Sequence, residues 1–127
     1  MKKKFLITLS IIISIVVVFI LAEFKWHLMR SAYDRYVLDN KISYLSCEEM
    51  PLRTEIADVL NAHQKEVNAI TRIGGVVELG IEDKNGAVCA DRGKLVIRYG
   101  GDNQKRMIEK TIGSNKFFGI PYDLINN

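Results

Sequence analysis

The feature that most constrains this chain is the run Phe5 to Ala22, FLITLSIIISIVVVFILA, eighteen residues without a formal charge, entered through Lys2, Lys3 and Lys4 and left at Glu23. As a helix rising about 1.5 Å per residue it covers roughly 27 Å, near the lower end of what spans a bilayer's hydrocarbon core. Its apolar side chains occupy every face of the cylinder, which suits lipid on all sides better than one side of a soluble core. A cleaved secretory signal is the rival reading. Such signals have a shorter apolar core, and the one cleavage candidate, Ile20-Leu21-Ala22, places bulky Ile where a small residue is preferred. The segment is therefore expected to stay as a signal-anchor.

Orientation follows the placement of basic residues near the membrane ends. Three lysines crowd residues 2–4, whereas Lys25, Arg30 and Arg35 are spread out and diluted by Glu23 and Asp34. For a bacterial source this predicts a cytoplasmic tail at residues 1–4, an inner-membrane anchor at 5–22, a stalk helix at 23–41 and a periplasmic domain at 42–127. The chain carries 18 Lys and Arg against 15 Asp and Glu. Setting aside Lys2, Lys3 and Lys4 leaves the exported part neutral, so the basic pI reflects topology and does not point to nucleic acid.

Cys47 and Cys89 are the only cysteines. In an oxidising compartment an even count in a small domain suggests a disulfide, and two cysteines allow one pairing. Neither belongs to a CxxC or stands at ligand spacing from a histidine, so neither a metal nor a cofactor is expected.

Beyond the anchor, Phe24, Leu28, Ala32 and Tyr36 lie on one helical line and Trp26, Met29, Tyr33 and Val37 on its neighbour, so the helix is expected to continue out of the membrane. Trp26 falls at headgroup level, and His27 reads as an interfacial polar residue. Ile42 to Cys47 reads as a strand or an extended lead-in. Pro51 then opens a long helix, with Leu52, Ile56, Val59, Leu60, Val67 and Ile70 on its apolar stripe, ending at Gly74-Gly75. His63 falls within that stripe. With Glu66 one turn on it would make half a metal site, and a hydrogen-bonded histidine at the core edge is the favoured reading.

From Val76 the period changes to two. Val76 to Glu82, Ala87 to Ala90 and Lys94 to Tyr99 read as three strands of an antiparallel meander, turned at Asn85-Gly86 and Asp91-Arg92-Gly93. Val77, Leu79, Ile81, Leu95 and Ile97 are expected in the core, with the disulfide stapling the start of the long helix to the middle strand. Asp102 reads as the N-cap of a helix to Ile112, with Met107, Ile108 and Ile112 on its inner face. Lys116 to Ile120 reads as a last edge strand stopped by Pro121. The fold class expected is α+β.

Phe117, Phe118 and Tyr122 form the most unusual exported stretch. They read either as core or as a semi-exposed aromatic patch for a protein partner. No catalytic motif is legible: there is no nucleophile elbow, no ligand triad and no free thiolate beside a base. The functional expectation is a membrane-anchored periplasmic binding protein rather than an enzyme. Its first form is an immunity protein that captures a toxin acting in the envelope, and its second is a structural or regulatory subunit of a secretion, pilus or division complex.

Overall fold

The computed structural model describes residues 2–127, apart from the side chains of residues 2–4 and 24–26, so the position expected for the Trp26 ring lies outside the described residues. The chain forms two compact units, one ending at Tyr33 and the other running Asp34–Asn127.

In the first unit, helix α1 (Lys2–Trp26) contains the segment Phe5–Glu23, one helix long and apolar enough to cross a membrane and with none of its length buried in protein. The expected continuous stalk is interrupted. His27 takes a left-handed backbone (φ 49°), and a separate helix α2 (Leu28–Tyr36) follows. A helix that restarts exposes unpaired amide donors. The Glu23 carboxylate supplies them with acceptors, taking Met29 N–H at 2.5 Å and Arg30 N–H at 3.2 Å.

In the second unit, a single 3-10 turn (Cys47–Glu49) leads to α3 (Arg53–Ala62) and α4 (Gln64–Arg72), followed by β1 (Val76–Gly80), β2 (Lys94–Tyr99), α5 (Asp102–Ile112), β3 (Lys116–Phe117) and β4 (Ile120–Asn126). The sheet order is β1-β2-β4-β3, with β2 and β4 parallel and the other pairs antiparallel. The mixed α+β class is as expected, and its topology differs from the meander.

The middle strand, Ala87 to Ala90, is replaced by a loop that makes one bridge, Glu82 to Val88. A turn does form before it, with only Gly86 of the Asn85-Gly86 pair left-handed (φ 81°), and Asp83 Oδ1 accepts the N–H groups of Asn85 and Ala87. The returning chain then pairs elsewhere. Gly93 N–H donates to Pro51 O, Arg53 N–H to Asp91 O, and Leu52 bridges Arg92. Two guanidiniums complete this latch, Arg53 donating to Cys89 O at 2.8 Å and Arg92 to Met50 O at 2.6 Å. The Cys47–Cys89 disulfide closes it. The crosslink therefore joins a 3-10 turn to a loop, and β1 pairs directly with β2.

Pro121 does not end the sheet. It lies within β4, opposite Lys116 and one residue before pairing with β2 begins at Leu95–Tyr122. There the two-residue loop of the β3–β4 hairpin leaves the Pro position without a ladder bond to donate toward β3. Beyond β3 the edge of β4 is taken by the lead-in, where Lys41 and Leu124 exchange both backbone hydrogen bonds.

Helices α3, α4 and α5 cover one sheet face. Ile56, Ile70, Leu95, Ile97, Tyr99, Ile108, Ile112, Phe117, Ile120, Tyr122 and Leu124 form the core, with Val77 packed against it. Leu79 and Met107, both expected inside, are 45% exposed. Leu79 lies on β1, the edge strand, and Met107 lies about 100° around α5 from the buried Ile108.

Candidate interaction surface

The long helix expected between Pro51 and Gly74 is broken at His63, which is the C-cap of α3 and the residue before α4, with φ −118° and ψ 37°. Nothing in the local sequence demands a break there, since neither Gly nor Pro is present between Arg53 and Ile73. A tertiary contact accompanies it. The imidazole lies flat on the Phe118 ring, centroids 3.4 Å apart and planes 9° from parallel.

Phe118 is held out by its backbone. The β3–β4 hairpin closes at Phe117–Ile120 with a two-residue loop in which Phe118 (φ 48°) and Gly119 (φ 93°) are both left-handed. That is the type I′ turn, whose strand twist suits a hairpin and whose first position prefers Asn, Asp or Gly. A bulky L-residue there costs about 1–2 kcal/mol, and backbone outliers of this kind gather at functional sites. Phe117 buttresses the same ring edge-on at 5.1 Å and 87°, and also meets His63 at 6.3 Å. Glu66 Oε2 lies 3.8 Å from His63 Nδ1.

The three aromatics singled out from sequence thus separate. Phe117 and Tyr122 are buried, at 1% and 2% exposure, and belong to the core; Phe118 alone is on the surface, at 45%. Alternation explains the split for Phe117 and Phe118, since the turn reverses the chain between an inward position and the tip. Sequence reasoning did not connect His63 to this ring. The available signal was a titratable aromatic in an otherwise apolar stripe. Among the described residues no group of three or more His, Cys, Asp or Glu side chains converges as a metal site would require.

A second cluster fastens the lead-in to the domain. Asp39, itself left-handed (φ 56°), receives the Lys105 ammonium on Oδ1 at 2.5 Å, and its carbonyl accepts the Tyr99 hydroxyl. Asn40 Oδ1 accepts Asn126 N–H at 2.7 Å, and Lys41 Nζ sits 3.9 Å over the Tyr122 ring. The Tyr44 hydroxyl donates to the Asp34 carboxylate. The Lys105 hydrogen bond holds the Asp39 carboxyl below its ordinary range, burial pulls the Lys41 ammonium down, and burial with the nearby Asp39 charge pushes the Tyr99 phenol well up.

These directions give a pH prediction. A phenol whose folded pKa is raised contributes stability that is full below the ordinary value of about 10 and is lost as pH rises above it. Asp39 acts in the opposite sense, its contribution fading as pH falls below the usual carboxylate range. Urea midpoints measured from pH 8 upward are expected to fall above about pH 10. Tyr99→Phe removes part of that slope; an unchanged slope would show that Tyr99 is not the group responsible.

No protein-family model, curated protein or solved structure matches this chain.

Proposed function

We propose that the chain is a membrane-tethered protein-binding module whose contact centre is Phe118, with His63 beneath it. The observation that carries this reading is the strained, solvent-facing Phe118 backed by two rings. A rigid aromatic held out at low conformational cost suits an interface anchor. The disulfide supports an oxidising compartment, and the basic residues before the anchor support an inner-membrane protein with its C-terminal domain in the periplasm. In that setting the reading is an immunity-type inhibitor: tethering raises its effective concentration where an envelope-directed toxin must arrive. The open edge of β1, with Val76 and Leu79 exposed, favours a second reading as an envelope-assembly subunit that accepts a partner's strand.

The test is Phe118→Asn in the full chain. Asn relieves the left-handed strain by roughly 1 kcal/mol and forfeits ring stacking of a similar size, so the urea midpoint should barely move. Capture of a stoichiometric partner from native membranes should weaken about 30-fold, the loss typical of truncating an interface anchor. Undiminished capture would remove Phe118 from the contact centre. Replacing Phe5 to Ala22 with an unrelated apolar segment then separates the readings. An inhibitor needs only a tether and keeps its activity, whereas an assembly subunit with helix contacts loses it.

A further inference from the structure

We propose that the apolar face of α2 is seated in the headgroup region of the phospholipid bilayer that α1 crosses, an inference that rests on reading α1 as a retained anchor. Viewed down α2, Leu28, Ala32, Tyr36, Met29 and Tyr33 occupy one continuous arc of about 140°, and Arg30, Ser31, Asp34 and Arg35 fill the rest of the circle. A soluble domain would turn the apolar arc inward. Here the arrangement is inverted: Asp34, from the polar arc, is buried and hydrogen-bonded to Tyr44. Leu28, Met29, Tyr33 and Tyr36 are 55%, 66%, 55% and 81% exposed.

Two observations identify lipid as the occupant. α2 begins five residues after the membrane-crossing segment ends at Glu23, so it starts at the membrane boundary. Leu28 and Met29 also line one crevice with Val18, Phe19, Ala22 and Glu23 of α1, so the start of the apolar arc lies beside the last turns of the span. The left-handed His27 makes the bend, and the Glu23 carboxylate on the first amides of α2 holds it. Tyrosines suit the interface by their amphipathic rings, and Arg30 and Arg35 flank the arc where phosphates lie.

The chain has one tryptophan, so a Trp26→Phe background has no tryptophan emission and accepts single reporters. Full-length Tyr33→Trp and Phe19→Trp, each in that background, are reconstituted into phosphatidylcholine–phosphatidylglycerol vesicles. The acyl chains are brominated either near the headgroup or near the terminal methyl. Tyr33→Trp emission is expected to drop about twofold with the shallow bromines and little with the deep ones, as for a helix lying 5–10 Å into the boundary. Tyr33→Trp unquenched while Phe19→Trp is quenched overturns the inference and leaves the anchor intact, whether the face is open to water or covered by a second copy. Both reporters unquenched overturns the anchor reading, and this inference with it.

Discussion

Replacing Cys47 and Cys89 together by serine is expected to lower the unfolding free energy by about 4 kcal/mol, the chain-entropy value for a loop closed by a crosslink 42 residues apart. Against a total of about 5–15 kcal/mol for a domain this size, the loss leaves a marginal fold. The effect should be local before it is global. Without the crosslink, the loop from Ile81 to Arg92 is held by the Arg53 and Arg92 guanidiniums on backbone carbonyls and by short backbone pairings with residues 51–53. Limited proteolysis of the double variant should therefore cut first in this loop, while β2 and β4 remain protected. Urea unfolding of the oxidised and reduced wild type should reproduce the same difference. A change below about 1 kcal/mol would show that the latch, rather than the crosslink, organises this end of the domain.

The second large effect is expected at Asp123. Its carboxylate is 1% exposed in the middle of β4, on the sheet face opposite the helices. Oδ1 accepts the N–H and hydroxyl of Ser43 at 2.7 and 2.5 Å, and Oδ2 lies 2.7 Å from Lys94 Nζ, whose side chain is 17% exposed. Oδ2 receives no hydrogen bond of good geometry, so the ammonium is its compensation. Removing one partner of a buried pair costs about 3–5 kcal/mol, and the partly exposed lysine places Asp123→Ala at the lower end, near 3. Asp123→Asn retains an acceptor for Ser43 and should cost less. Lys94→Met strands the buried carboxylate and should cost about as much as Asp123→Ala. Urea titrations of the three variants at neutral pH test the ordering; equal losses for Asp123→Ala and Asp123→Asn would mean that the Ser43 bonds contribute nothing.

This site was illegible in the sequence. Asp123 follows Pro121 and Tyr122 in a stretch that reads as an aromatic tail leaving the sheet. Its ion pair depends on β4 lying parallel beside β2, and that pairing rests on contacts far apart in the chain. The candidate contact surface was half legible. Composition drew attention to Phe117, Phe118 and Tyr122 as a group. Which of them faces outward depended on where the hairpin turned, and a Phe at the first position of a type I′ turn contradicts the residue preference used to locate such turns. His63 reads as part of one long helix for a similar reason, since its partner lies 55 positions along the chain and helical periodicity cannot see it.

What the sequence by itself determined are the features set by local chemistry. A run of apolar residues without a charge dictates a lipid-length helix, and alternation dictates β2, which spans Lys94–Tyr99 as read. Gly113 stops α5 in the left-handed form at φ 71°, and the only two cysteines pair with each other. The tertiary structure alone decided which strand lies beside which, where the long helix breaks, and which aromatic faces out. These depend on competition among partners. The loop carrying Cys89 could have completed a meander, but residues 51–53 and two arginines satisfied its backbone while β4 took the open side of β2. Local pattern specifies how a segment can pair, and only the assembled chain settles which of the possible partners satisfies the most backbone and buries the most apolar surface.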